Sequence, residues 1–224
     1  MAEERGNLRT YGRVKTRGLR RGRARLLETL LPEVAAPTGR FDPRSLAPSA
    51  REVWLEAGFG AGEHLAGQAV RHPDVLFLGA EPFVNGLAAC LAQIRERRLS
   101  NVRVHAGDVR VLMANLPDAS VDRLYALFPD PWPKTRHKKR RLIGSVFIAE
   151  AARIVRRGGS VRLATDWADY ANAMLRDFAK SVAFQWTGER ADDWRAAPAD
   201  HIPTRYEAKR LGDCAPIWLE FERT

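Results

Sequence analysis

A carboxylate set between prolines and followed by a cluster of cations has the clearest chemistry in this chain. Asp130 is the acid of the sequence PDPWP at residues 129–133, and it leads into six Lys and Arg side chains within residues 134–141, the basic segment. Prolines stiffen the loop around the acid. A rigid acid and the flat ring of Trp132 suit the edge and face of a purine, and the cations suit phosphates. The simpler alternatives are a turn residue for Asp130 and core packing for Trp132.

A glycine-rich turn is the second candidate site. Glu56 precedes Gly58, Gly60 and Gly62, in the spacing G-x-G-x-G. Glycines allow a tight turn and a close approach to a ligand, but dinucleotide-binding loops have the spacing G-x-G-x-x-G. A carboxylate at position 56 would repel a pyrophosphate and could attract the amino group of a zwitterionic ligand.

Two further acids follow the next two predicted strands. Glu81 lies about 20 residues after the glycine turn, where an acid binds ribose hydroxyls. Asp108 is placed to receive the exocyclic amine of an adenine. Ribose, adenine and an ammonium group without a pyrophosphate indicate S-adenosylmethionine as the cofactor. The simpler alternative is a glycine turn beside ordinary surface acids, and a nicotinamide oxidoreductase is disfavoured by the glycine spacing and by Glu56.

Two motifs in the last third of the chain complete the candidate set. Asp166 either caps the helix that follows it or belongs to the site. Thr204 and Glu207 have the spacing of a capping box; with Arg205 and Tyr206 between them, they could instead form a loop that folds over a bound base.

Alternating strand and helix patterns put these motifs at successive strand ends. We predict strands at 53–56, 75–79, 102–104, 121–128, 161–164, 183–186 and 217–221. Helices are predicted at 24–31, from the glycine turn to about Arg71, and at 84–98, 109–115, 142–156 and 170–180, with Gly158 and Gly159 ending the fifth of these. The alternation predicts an α/β fold with a mostly parallel sheet covered by helices on both faces. Ligands bind such sheets at the carboxyl ends of the strands.

Charge and cysteine content narrow the class of protein. The net charge is +10, and nine basic residues fall within the first 25 positions, which predicts a polyanionic partner such as RNA. We divide the chain into a basic, partly flexible extension at 1–50 and a catalytic domain at 51–224. Cys90 and Cys214 indicate neither a disulfide framework nor a zinc site. No signal core or apolar run of membrane-spanning length is visible, so we expect a cytoplasmic protein without a membrane partner.

Taken together and in this order, the motifs resemble the bacterial tRNA (guanine-N7-)-methyltransferase family. The likeness runs from about Arg51 to the C-terminus and is most specific over residues 129–141. It implies a class I methyltransferase, Rossmann-like fold whose seven-stranded sheet has an antiparallel last strand. It also implies transfer of the methyl group of S-adenosylmethionine to N7 of guanine 46 in the variable loop of tRNA, giving 7-methylguanosine.

The resemblance also assigns roles to the candidate residues. Asp130 is the catalytic residue and lines the cofactor pocket together with Glu56, Gly58, Gly60, Gly62, Glu81 and Asp108. The residues implied to bind substrate are Lys134, Asp166, Thr204, Arg205, Tyr206 and Glu207. We expect tRNA as the partner, no metal requirement, and a monomer or weak homodimer. Two alternatives stay open: a methyltransferase acting on an exocyclic amine of adenine or cytosine, and a non-catalytic RNA-binding protein with a vestigial pocket.

Overall fold

The computed structural model describes residues 18–224, and its centre is one seven-stranded sheet. Five of the nine basic residues at the start of the chain precede residue 18 and lie outside the described residues. The sheet order is β3-β2-β1-β4-β5-β7-β6. The strands are β1 (Glu52–Ala57), β2 (Val75–Ala80), β3 (Val102–His105), β4 (Val121–Leu127), β5 (Val155–Thr165), β6 (Phe184–Trp186) and β7 (Ile217–Arg223).

The pairing of the strands confirms the predicted topology. β1 pairs in parallel with β2 and β4, and β3 and β5 extend the parallel part on either side. The last strand, β7, runs antiparallel between β5 and β6. The order reverses at β1, because the chain goes outward to β3 and then returns to β4, and ligands of open α/β sheets bind at such a switch point.

Helices cover both faces because the strands alternate their buried side chains. Trp54 and Phe77 point to a core packed under α1, α3 and α4, whereas Val53 and Leu55 point to the core packed under α5, α6 and α7. The helices are α1 (Arg21–Thr29), α2 (Leu31–Val34), α3 (Glu63–Arg71), α4 (Val84–Glu96), α5 (Val109–Asn115), α6 (Ser145–Ile154), α7 (Ala168–Ala179) and α8 (Asp192–Arg195). In the described part of the chain, no helix combines the length and the apolar character needed to cross a bilayer.

The residues before the sheet pack onto the rest of the molecule. Leu26 of α1 is buried in the same core as Leu91 of α4. Ala36 donates its backbone N–H to the Val104 oxygen at 2.9 Å, which ties the segment to the edge strand β3. The two-part division at residue 50 stays a prediction.

The predicted boundary between the helix at 142–156 and the strand that follows it is wrong. The helix expected at 142–156 ends at Ile154, and Gly158 and Gly159 lie inside β5 instead of ending the helix. The pairing register between β4 and β5 shifts at this point, and Gly158 has a φ of 72°. The two glycines therefore permit a bulge in the strand, a role that glycine shares with helix termination.

Candidate active site

The five predicted acids lie at or just beyond the carboxyl ends of five neighbouring parallel strands. Glu56 is the penultimate residue of β1, and Glu81 and Asp166 directly follow β2 and β5. Asp108 and Asp130 each stand three residues beyond their strands. Burial raises the pKa values of Glu81 and Tyr206; the nearby Asp130 and Glu56 add to the rise at Glu81, and Asp166 and Asp130 add to the rise at Tyr206. The fold therefore brings together acids that are up to 110 residues apart in the sequence.

The glycine turn between β1 and α3 has the backbone that its sequence predicts. Gly58, Gly60 and Gly62 have φ values of 75°, 55° and 78°, which other L-residues rarely adopt. A Cβ on Gly62 would lie 2.5 Å from the Cys90 sulfur of α4, so this glycine also allows two helices to approach closely. Nothing lies within 4 Å of the Cβ positions of Gly58 and Gly60, which leaves one side of the turn open.

Glu81 holds the glycine turn against the end of β2. Its carboxylate accepts the backbone N–H of Gly60 at 2.7 Å and that of Phe83 at 2.8 Å. Burial raises the pKa of Glu81 to about 7, the two backbone hydrogen bonds oppose this rise, and the nearby Asp130 and Glu56 add to it. Glu81 thus changes its charge near neutral pH.

Glu56 is paired with a histidine that the sequence reasoning did not single out. The carboxylate is 5% exposed, and the Nδ1 atom of the buried His64 on α3 lies 2.9 Å from it. The Gln68 amide nitrogen lies 3.3 Å from His64 Nε2, so Nε2 accepts and Nδ1 carries the proton that goes to Glu56. The spacing from Glu56 to His64 crosses a turn, so no helical or strand periodicity signals this pair.

Asp108 begins α5 and binds a neighbouring cation. Its carboxylate accepts the backbone N–H of Arg110 at 2.9 Å and forms an ion pair with that side chain at 2.6 Å. The N-cap role follows from its residue type. The predicted contact of Asp108 with an exocyclic amine stays a prediction.

The Asp130 loop, residues 128–134, has unusual backbone geometry on both sides of the acid. Phe128 and Trp132 have φ values of 52° and 42°, a conformation that costs on the order of 1–3 kcal/mol in a residue other than glycine. Arg141 steadies the loop by donating from Nε to the Pro131 oxygen at 2.8 Å. Asp130 itself is exposed.

Trp132 packs against the basic segment and not into the core. The Arg140 guanidinium lies 5.0 Å from the centre of the Trp132 ring, and His137 meets the ring edge-on at 5.9 Å. The ring is partly exposed. The structure thus rejects core packing, the simpler interpretation of this tryptophan.

The basic segment contains two kinds of cation. Lys138 and Arg141 bind the two oxygens of Asp169 on α7, at 2.8 and 2.6 Å, and Arg141 also lies 4.5 Å from the centre of the Tyr170 ring. Lys134, Arg136 and Lys139 are exposed along the 3₁₀ turn that fills most of the segment. Binding of substrate by Lys134 stays a prediction.

Asp166 does not cap α7. Asp213 accepts the backbone N–H of Ala168 at 2.9 Å, and the Asp166 side chain instead accepts the Tyr206 hydroxyl at 3.2 Å. The helix-cap interpretation is therefore wrong. Asp213 could not be recognised as the cap from sequence, because it follows the helix start by 45 residues.

Residues 201–207, the C-terminal loop, contain the contacts of a capping box, whereas closure of the loop over a bound base stays a prediction. Glu207 accepts the backbone N–H and the hydroxyl of Thr204 at 2.8 and 2.9 Å, as in a capping box. Arg205 is paired with Glu63 at the start of α3. Tyr206 meets the Phe128 ring at 5.4 Å, so the loop also lies against the strand ends.

Comparisons with known sequences match this chain to methyltransferases. A family model described as a putative methyltransferase matches residues 50–218. A protein of Caulobacter sp. (strain K31) named tRNA (guanine-N(7)-)-methyltransferase is 53% identical over 97% of this chain and 96% of its own. A Rhodospirillum rubrum protein of the same name is 44% identical over 96% of this chain and 88% of its own.

The chain belongs to the tRNA (guanine-N(7)-)-methyltransferase family. Solved structures show the fold of this family member to be that of class I methyltransferases. An aminoglycoside resistance methyltransferase has a TM-score of 0.55 at 16% identity and covers 84% of this chain and 95% of its own. An rRNA methylase from Streptococcus thermophilus has a TM-score of 0.54 at 12% identity, with coverages of 81% and 93%.

Proposed function

We propose that this family member transfers the methyl group of S-adenosyl-L-methionine to N7 of guanine 46 in the variable loop of tRNA. The observation that carries the proposal is the meeting of two sets of acids along one sheet edge. Glu56 and Glu81 flank the glycine turn, and Asp130 and Asp166 lie beside the C-terminal loop, close enough for Asp130 to raise the pKa of Glu81. The identity to named relatives supports the same chemistry.

The residues around the glycine turn fit S-adenosylmethionine. The open side of the turn at Gly58 and Gly60 leaves room for a ligand against the backbone. The Glu56 carboxylate suits an ammonium group, while Glu81 suits a ribose diol. In this proposal, Asp108 receives the exocyclic amine of the adenine. When bound, the cofactor supplies an electrophilic methyl group on a sulfonium ion.

In this proposal, Asp130 is the catalytic residue. Guanine N7 carries a lone pair and no proton, so no general base is required. The chain must align the base, and alignment can account for about 7–11 kcal/mol of a barrier. The reaction moves positive charge onto the purine, so a carboxylate fixed against the purine N–H edge stabilises that charge. The stiff, strained loop keeps Asp130 in place for this task.

Substrate recognition falls to the rest of the same edge. Lys134 and the exposed cations of the basic segment contact tRNA phosphates, which gives affinity more than sequence choice. Asp166 and the C-terminal loop, with Thr204, Arg205, Tyr206 and Glu207, close over the base. Among residues 18–224, no three His, Cys, Asp or Glu side chains are grouped to hold a metal ion. We further propose a monomer or weak homodimer acting in the cytoplasm, where tRNA is modified.

The decisive experiment identifies the modified nucleoside. Purified protein is incubated with unmodified tRNA transcript and methyl-labelled S-adenosylmethionine, and the RNA is digested to nucleosides. We expect labelled 7-methylguanosine from a transcript with G46 and none from the matched transcript with A46. A labelled adenosine or cytidine would replace the proposal with exocyclic-amine methylation, and failure to bind the cofactor in calorimetry would indicate a non-catalytic RNA-binding protein.

A further inference from the structure

Two buried histidines connect the acid at the end of β1 to the C-terminal loop. His64 of α3 donates to Glu56, and the Nε2 atom of His201 lies 2.9 Å from Glu207. The two imidazole rings stack on each other, with centres 5.6 Å apart and planes at 26°. Both side chains are almost completely buried, at 1% and 3% exposed. Contacts thus run without a break from Glu56 to Glu207.

The tautomer of His201 follows from its surroundings. Its Nδ1 atom is buried and has no hydrogen-bond partner among the described residues. A proton on that atom would be left without an acceptor inside the protein, which costs about 1–3 kcal/mol. The proton therefore sits on Nε2 and goes to Glu207, so each of the two histidines donates to one carboxylate.

Helix α3 is shaped to receive the start of the C-terminal loop. A Cβ on Gly67 would lie 2.5 Å from the end of the Ile202 side chain, so this glycine in the middle of a helix makes room for the loop. Gln68 donates to the Asp200 oxygen at 2.8 Å, and the Asp200 carboxylate binds Arg162 at 2.6 Å. The chain just before His201 is therefore fixed to α3 and to β5.

Beyond this anchor, the loop has few buried contacts. Pro203 and Arg205 are exposed, and Thr204, Tyr206 and Glu207 are only partly buried. His201 is thus the buried residue at the start of the loop, and Glu207, at the end of the loop, contacts it. Glu207 accepts from both His201 and Thr204, so it links the His201 ring to the rest of the loop.

We propose that His64 and His201 are positioning residues that couple occupation of the methyl-donor site at Glu56 to the placement of the C-terminal loop over the substrate. The inference rests on the proposed function, because it takes Glu56 as the contact of the donor ammonium group. A donor bound to Glu56 holds the Glu56–His64 pair in one arrangement, and the stacked His201 ring then holds Glu207 and Thr204. Once the first ligand has ordered these residues, binding of the second ligand does not lose that conformational entropy again. Each ligand therefore increases the affinity of the protein for the other.

The test measures a coupling ratio. The dissociation constant of unmodified tRNA transcript is determined with and without saturating S-adenosylhomocysteine, for the full-length protein and its variants. We expect the protein without substitutions to bind tRNA at least about fivefold more tightly when S-adenosylhomocysteine is present. His201→Phe keeps a ring against His64 but loses the donor to Glu207, so its ratio should fall to within about twofold of one. A ratio of one in the unmodified protein would overturn the inference.

Conservative variants separate positioning from folding. A glutamine amide can donate to Glu207 from near the position of Nε2, so His201→Gln should keep most of the coupling. An asparagine amide can likewise donate to Glu56 from near the position of Nδ1, so His64→Asn should keep that hydrogen bond. His64→Leu should lose the coupling and should not lower it further in a His201→Phe background. Equal losses in His201→Phe and His201→Gln, or additive losses in the double variant, would contradict the inference. Production of 7-methylguanosine by the unmodified protein tests the proposed function separately.

Discussion

Tyr206 of the C-terminal loop donates its hydroxyl to Asp166 at the end of β5, over a distance of 3.2 Å. Burial, with the neighbouring carboxylate, raises the pKa of this phenol to about 12, so the donor keeps its proton at any physiological pH. The contact joins the loop to the end of β5. The loop is therefore attached to β5 through Tyr206 and to α3 through the stacked rings of His201 and His64.

Loss of this contact should weaken tRNA binding more than chemistry. Tyr206→Phe keeps the ring against Phe128 and removes one hydrogen bond, which is worth about 1 kcal/mol, so we expect KM for tRNA to rise about fivefold with little change in kcat. Steady-state kinetics with a single transcript measure this. Asp166→Asn should add little in the Tyr206→Phe background, and fully additive effects would show that the two residues act separately.

Removal of the Asp130 charge should reduce turnover without loss of the donor. Asp130→Asn keeps the shape of the side chain, so we expect kcat to fall by roughly 10²–10³-fold, the range for removal of a pre-placed group that stabilises transition-state charge. Asp118→Asn, which removes a carboxylate at the other end of β4, is the matched control and should be near normal. Normal turnover by Asp130→Asn with intact cofactor binding would exclude the role.

Glu81 should make the stability of the ligand-free protein depend on pH. Its pKa is raised from 4.5 to about 7, so between these values the folded protein keeps a proton that the unfolded chain releases. The contribution of Glu81 to the free energy of unfolding is therefore complete below pH 4.5 and falls, by on the order of 3 kcal/mol, as pH rises through 7. Denaturation of the unmodified protein and of Glu81→Gln across pH 4–8 measures this difference.

The affinity for the methyl donor should also depend on the charge of Glu81. This affinity should rise with pH, whereas the stability of the ligand-free protein should fall. The ionised carboxylate is the better acceptor for ribose hydroxyls, so affinity for S-adenosylhomocysteine should decrease below pH 7 by up to about tenfold per pH unit. Glu81→Gln should bind weakly and lose the pH dependence. An affinity in the unmodified protein that is constant from pH 5.5 to 8 would contradict the assignment.

A methyl group at Gly62 should destabilise the protein more than a methyl group at Gly39, where the backbone φ is almost the same. Gly62→Ala combines a φ of 78° with a Cβ that is 2.5 Å from the Cys90 sulfur, and we expect it to lower the free energy of unfolding by more than about 2 kcal/mol. Gly39→Ala is the matched control, because its φ is 79° and nothing lies within 4 Å. It should cost about 1 kcal/mol, and equal losses would show that the contact with α4 is unimportant.

The basic segment should divide into cations that bind RNA and cations that bind the protein. Arg136→Gln and Lys139→Gln should each lower the slope of log K for tRNA against log salt by about 0.7–0.9. Lys138→Gln should change the slope less, because Asp169 already pairs with Lys138; this pairing and that with Arg141 lower the pKa of Asp169. Equal changes for all three variants would show that Asp169 releases Lys138 on binding.

The sequence by itself determined the sheet and the place of the site on it. Short apolar runs that alternate with helical patterns indicate where each strand ends, and parallel strands end at one edge, so Glu56, Glu81 and Asp166 could be placed together from the sequence. The helix boundary at Gly158 was missed because glycine ends helices and also permits strand bulges, and only the pairing of β4 with β5 distinguishes the two.

Tertiary structure alone decided the partners of polar groups that are distant in the sequence. His64 and His201 are 137 positions apart, and Asp213 caps a helix that begins 45 residues earlier. Lys138 and Lys139 are neighbours of the same type, yet only Lys138 is paired with Asp169. Local patterns report which face of an element is buried, whereas hydrogen bonds and ion pairs depend on distances of a few ångströms between elements. Those distances are set by the packing of the whole molecule.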